Sequence, residues 1–464
     1  MRESELNPFL QGNFAPWRLE GTADDLQVSG EIPLELNGTF YRNGPNPAYE
    51  PIGRYHWFDG DGMIHAITLG DGRASYRNRW VRSAGMLEER KAGKALYKGL
   101  LEMSVTEAPV FKNTGNTNIV SHAGKLLALM EAALPTQLRH CTLETLGEFD
   151  FEGKLTTAMT AHPKIDPESG ELLFFASSPV PPYLVYHVAN RDGELVRSEP
   201  IDLEWPSMIH DFAITKDYVV FILCPLVFSF EALATTGSAF VWEPQRGTRL
   251  GVMPRNGGNG DVRWFETDAC YIFHPMNAYS EGRHVVLDVA RFPRLLLMAR
   301  DQAPGSGQDF IDDAPKLHRF RLDLRDGNVK SEPQDDRRCE FPRIDERLLG
   351  RKHRFGYVAS GGSETARRDV PELTAVTKYD LETGKPTVRE FGAGNGVGEP
   401  LFVPRYGQAE EDDGYVLVLA YDRAKNSSDF YILDARNIAA QPIAVVHIPN
   451  RVPYGFHGNW VTAS

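Results

Sequence analysis

Six short apolar runs constrain the fold of this chain more than any other feature. Lys125–Met130, Glu171–Ala176, Tyr218–Leu223, Arg283–Val289, Phe355–Ala359 and Tyr415–Ala420 begin 46 to 72 residues apart. Each is rich in the residues that suit pleated strands. Turn signals fill the gaps, among them Asp71-Gly72, Ser169-Gly170, Asp192-Gly193, Asp326-Gly327 and Thr383-Gly384. A strand-rich unit that recurs at about 45 residues or more is the signature of a four-stranded propeller blade. The 42 glycines and 31 prolines suit many short strands joined by turns. The uneven period predicts insertions at about 86–105, where KAGKALYKGLLEM reads as helical, and at about 303–317. A pair of β-sandwiches is the alternative, although it does not naturally give such long repeats. No Gly-, Ser- or Pro-rich linker divides the chain, so the reading is one all-β propeller domain over residues 1–464.

Charge and local composition exclude several classes of function. The net charge is −13 and the basic residues are scattered, which argues against a nucleic-acid partner, since phosphate binding needs a concentrated positive surface. The N-terminal MRESELNPFLQGNFAPW has no basic segment followed by an apolar stretch, so no secretory signal is expected. No run approaches the eighteen apolar residues of a membrane span; peripheral membrane contact is compatible with that. Cys141, Cys224, Cys270 and Cys339 form no CxxC pair, which predicts reduced thiols in a cytoplasmic protein and a metal, if any, held by other residues.

The thirteen histidines contain a pattern. A lone histidine is more often structural than a ligand, so position must decide. His162, His210 and His274 stand ten, nine and eleven residues before Leu172, Val219 and Val285 in three successive apolar runs. Each local sequence reads as a strand carrying a histidine, a turn, then another apolar strand. Histidines at the same place in successive blades would point toward one axis. His457, in YGFHGNW near the C-terminus where propellers close their ring, is a fourth candidate. Imidazole suits Zn, Cu, Fe and Ni alike, so the ligands alone do not name the metal.

Metal-bound imidazoles usually donate their other N–H to a carboxylate. Isolated glutamates in apolar sequence are therefore candidates for that role. Glu131 follows KLLALM, Glu340 precedes Phe-Pro-Arg-Ile-Asp, and Glu399 sits in VGEPLFVP. A carboxylate in such surroundings is either exposed or paired.

Together these segments resemble the carotenoid cleavage oxygenase family. The resemblance runs almost end to end, from LNGTFYRNGPNP and YHWFDGDGMIH through AHPKIDP, MIHDFAIT, FHPMNAY and EFPRID to the terminal FHGNW. It implies a seven-bladed β-propeller, capped by helices and loops, with Fe(II) near its axis. It assigns His162, His210, His274 and His457 as iron ligands, and Glu131, Glu340 and Glu399 as the carboxylates behind them. Thr117, in NTGNTNIV, matches a threonine that crowds the open coordination space. His56 and His65 read as structural members of a signature loop. The implied chemistry is addition of O2 across a carbon–carbon double bond to give two carbonyl products, on a hydrophobic or aromatic alkene. No NAD, flavin or 2-oxoglutarate motif is found.

The family cleaves long polyenes or phenolic stilbenes and propenylphenols. In the stilbene branch a tyrosine and a lysine hold the phenolic oxygen. Tyr97 matches the tyrosine, but Met130 stands where the lysine would be. Methionine is apolar and adaptable, which favours a carotenoid or apocarotenoid; the phenolic alkene is the alternative. Two further readings are a non-oxygenase isomerohydrolase that keeps the iron ligands, and a propeller that only binds partners.

Overall fold

The computed structural model describes residues 7–102, 112–236, 239–295, 314–361, 372–405 and 410–463. Its architecture follows from strands that are covered on both faces. In Tyr218–Leu223, the side chains of Val219, Phe221 and Leu223 pack with Leu173, Phe175 and Tyr186 on one side. Val220 and Ile222 pack with Val285, Leu287 and Phe320 on the other. This double burial is why the run is continuously apolar instead of alternating. Between strands the chain reverses tightly. At Asp71-Gly72 both residues take left-handed backbone, φ 51° and 73°, the conformation a two-residue hairpin needs.

Seven antiparallel blades result, each built on four strands, with a fifth edge strand in blades one and seven. Blade two spans Asn118–His122 to Thr145–Glu148, and blade three Lys164–Ile165 to Leu195–Ile201. Blade four spans Phe212–Ile214 to Arg263–Thr267. Blades five and six share the 15-residue strand Val329–Arg343, which leaves one sheet and enters the next. Blade seven spans Leu401–Pro404 to Ala444–His447. Seven apolar clusters fill the gaps between neighbouring blades, one wedge per gap.

Both ends of the chain close the ring. The C-terminal strand Gly458–Thr462 pairs antiparallel with Gly38–Pro45 and becomes the first strand of blade one. Near the N-terminus, Gly21–Ala23 edges blade one and Val28–Gly30 edges blade seven. Each expected apolar run is a strand, one in each of blades two to seven.

Short helices and loops cap one end. The expected helix over KAGKALYKGLLEM is displaced: the helix is Ala84–Ala92, followed by a single 3-10 turn at Leu100–Glu102. Ser83 caps its start by accepting from the Met86 N–H, and Gly93, at φ 69°, ends it in left-handed backbone. Residues 103–105 of that insertion, and 303–313 of the second, lie outside the described residues. Among the described residues no helix is long and apolar enough to cross a membrane.

Candidate functional site

The blades deliver their chemistry from equivalent places. Thr117, His162, His210, Glu399 and His457 each stand one or two residues before the first strand of a blade, namely blades two, three, four, seven and one. His274 lies within the first strand of blade five, Tyr271–Glu281, and Glu340 near the end of Val329–Arg343, where that strand opens blade six. All seven blades thus contribute one polar side chain from the strand nearest the axis.

The structure brings the four histidines together. One side-chain nitrogen each from His162, His210 and His274 falls within 4.8 Å of the others, a group that could hold a metal ion. The His457 ring completes the cluster, its centroid 4.7 Å from those of His162 and His274. All four are buried. Burial, and then the neighbouring histidines, hold His162 far below the ordinary imidazole range. Burial also pushes His457 down to about 3, against the pull of Glu399. Burial would lower His274 too, but Glu340 outweighs it and raises that group.

Glu340 and Glu399 each stand beside one histidine, and Glu131 stands between two. Glu340 Oε2 lies 2.5 Å from His274 Nδ1, and Glu399 Oε1 lies 2.9 Å from His457 Nδ1. Glu131 Oε1 approaches His210 Nδ1 at 3.0 Å and His162 Nε2 at 3.5 Å, without the geometry of a hydrogen bond to either. A carboxylate at Nδ1 keeps the proton there and leaves the lone pair on Nε2. The Nε2 atoms of His210 and His274 then face each other at 3.2 Å. Two lone pairs so placed repel unless a cation lies between them. His162 Nε2 is buried with no hydrogen-bond partner among the described residues, a cost that a metal bond removes. His162 differs from the other three: the carboxylate facing its Nδ1 is Asp211, at 3.8 Å, itself bound to Lys164 at 2.8 Å. The donor set therefore fits a divalent transition metal.

The segment Arg42-Asn43-Gly44 holds this arrangement. Asn43 N–H donates to the His457 carbonyl at 2.9 Å, and its carbonyl accepts from Phe456 N–H at 3.0 Å. Its amide Nδ2 donates to the carbonyls of Gly115 and Asn118, each at 2.8 Å, on either side of Thr117. The two chain segments touch at Gly44, where a Cβ would lie 2.6 Å from Gly455 Cα. Only glycine permits that approach.

A cavity of about 510 Å³ opens on the cluster and is lined by Thr117, Glu131, His210, His274, Glu340 and His457. Its walls are largely apolar and include the aromatic rings of Tyr55, Trp57, Phe58, Phe228, Phe273 and Phe341, the kind of surface that binds an apolar ligand. Tyr97 and Met130 both line it. The Tyr97 hydroxyl donates to Glu88 Oε2 at 2.6 Å, and Met130 Sδ accepts from Thr114 N–H at 3.2 Å. Thr117 Oγ1 donates to Asn116 Oδ1 at 3.0 Å. His56 and His65 are engaged elsewhere: His56 Nδ1 caps the turn Trp57–Asp59, and His65 Nδ1 meets the Tyr76 hydroxyl at 2.7 Å.

Sequence reasoning missed the cationic groups on the cavity wall, among them Lys112 and Arg338. Lys112 is held between Asp61 at 2.9 Å and Glu89 at 2.8 Å. Arg338 lies two residues before Glu340 on the same strand. The usable signal was the period of two, which puts Arg338 and Glu340 on one face of that strand.

Comparison with known proteins gives concordant results. The family model described as retinal pigment epithelial membrane protein matches residues 14–462. A carotenoid cleavage oxygenase of Mycobacterium tuberculosis is 37% identical over 98% of this chain and 97% of its own. Among solved structures, the lignostilbene dioxygenase of Pseudomonas brassicacearum superposes with TM-score 0.92 at 34% identity, covering 98% of this chain and 99% of that one. A cobalt-substituted apocarotenoid oxygenase of Synechocystis follows at TM-score 0.87 and 32% identity, with 97% of each chain covered.

Proposed function

The chain belongs to the carotenoid oxygenase family, and from that premise we propose that it is an iron(II) dioxygenase splitting a double bond of a carotenoid or apocarotenoid. The class of reaction, oxygenative alkene cleavage, follows from the relatives. The observation that carries the rest is the buried four-histidine cluster opening on an aromatic cavity. We assign His162, His210, His274 and His457 as the iron ligands. Iron(II) bound there would supply the unpaired electrons and open coordination positions needed to engage O2.

The protein's own groups do the remaining work. Glu340 and Glu399 fix the orientation and tautomer of His274 and His457, while Glu131 lies beside His210 and Asp211 faces His162. Thr117 stands at the wall of the same cavity and narrows the space available beside the cluster. The aromatic walls align an extended alkene and exclude water from the reacting bond.

Two observations favour a polyene. Met130 offers no charge to a phenolate, and the Tyr97 hydroxyl is committed to Glu88. The likeness to a lignostilbene dioxygenase favours the second reading, a phenolic stilbene or propenylphenol. The four cysteines form no disulfide, which supports placement in the reducing cytoplasm. The test is an aerobic assay of iron-loaded protein against an apocarotenal and a hydroxystilbene, with aldehyde products identified by mass. We expect cleavage of the apocarotenal. Cleavage of the stilbene alone would overturn the substrate assignment.

A further inference from the structure

The cavity is lined by four cationic side chains, Lys98, Lys112, Arg294 and Arg338. Lys112 is neutralised by Asp61 and Glu89, and Lys98 and Arg294 have partners of their own. Arg338 differs. Among the described residues its guanidinium has no hydrogen-bond or ion-pair partner. Glu340, Glu372 and Tyr454 lie within its electrostatic field without pairing with it, and burial pulls it below the ordinary guanidinium range.

Arg338 is half-buried, and its guanidinium, with no partner among the described residues, faces the cavity; a cation on a largely apolar wall gains by meeting an oxygen acceptor. Five N–H donors in a planar fork suit an oxygen acceptor, above all a carboxylate or a carbonyl. The placement fits a substrate. Arg338 and Glu340 share one strand face, so their side chains leave the strand about 6–7 Å apart, and Glu340 is the carboxylate that holds His274. Glu340 Oε2 is occupied by His274 and by the Phe341 N–H at 2.5 Å, and Oε1 makes no hydrogen bond to the guanidinium.

We propose that Arg338 binds an oxygen-bearing end of the alkene, a carboxylate or carbonyl, and so selects oxygenated chain ends over plain hydrocarbons. The proposal rests on the alkene-cleaving reading above and names the chemistry of one end of its substrate. Arg338 is here a specificity-determining residue that touches the substrate away from the reacting bond.

The test measures binding, with no turnover required. Full-length protein is titrated with a conjugated polyene acid and with the methyl-ended hydrocarbon of equal length, following the fluorescence of the cavity-lining Trp57. The wild type is expected to bind the acid about tenfold or more tightly, the scale of one hydrogen bond to a charged group. R338L should bring the two ligands to equal affinity, while R338K should keep part of the preference. Equal wild-type affinities, or a preference that survives in R338L, would overturn the proposal. Should R338L fail to fold, the wild-type comparison and R338K still decide it. The two readings fail separately. An acid preference in a protein that cleaves no alkene would leave Arg338 standing and remove the oxygenase. Cleavage without any acid preference would do the reverse.

Discussion

At the scale of single residues, the centre is organised one imidazole proton at a time. Glu340 and Glu399 each place a proton on Nδ1 of a histidine and turn the opposite lone pair inward. Glu399 is itself held below the usual carboxylate range: burial opposes this, but Arg343 and His457 outweigh it. Replacing Glu399 with Gln therefore removes the charge that orients His457, and metal affinity should fall about 10–100-fold. His274→Ala should abolish stoichiometric binding. Competition titrations with cobalt(II) and a chelator measure both, and an unchanged affinity in either variant would refute the ligand assignment. These histidines were legible in the sequence because His162, His210 and His274 precede apolar strands at nearly constant offsets. Arg338 was not. It lies in KSEPQDDRRCEF, a polar run where its spacing of two from Glu340 was the one signal, lost among the other charged residues.

At the scale of elements, the unit is a strand buried on both faces. Phe221 sits in the wedge between blades three and four and is fully buried, so Phe221→Ala should cost about 3–5 kcal/mol. Chemical denaturation checks this; a loss below about 1 kcal/mol would mean that the wedge does not hold the blades as described. Such strands announce themselves by composition, which is why one was readable in each of six blades. Their partners were harder to see. Gly38–Pro45 carries two glycines, an asparagine and a proline yet is wholly buried, because close chain crossings, and not side-chain volume, set its composition. Val329–Arg343 is largely polar and contains Pro333; distant pairing with two sheets makes it a strand. The cap helix was misplaced for a local reason. Gly93 stops it, and the following segment is tied back by Glu89, which accepts from the Leu96 N–H at 2.9 Å.

At the scale of the whole molecule, ring closure is what makes a site from residues spread between Thr117 and His457. Seven wedges fix the blades around one axis, and the C-terminal strand locks His457 into place beside Gly38–Pro45. The fold class was readable from strand spacing, whereas the number of blades and the identity of the metal entered only with the family resemblance. The cavity is the product of the ring and its cap together, since the propeller supplies the polar floor and the cap supplies Tyr97, Leu100, Phe228 and Phe240. The central claim is that this enclosed four-histidine centre, loaded with iron(II), inserts both atoms of O2 across an alkene. The most direct test is turnover of an apocarotenal by iron-loaded protein under ¹⁸O₂, trapping the products at once by borohydride reduction and reading their masses. The account predicts label in both fragments at the newly formed carbonyl positions. Products that form without label, or the absence of any cleavage by protein that has bound iron, would contradict it.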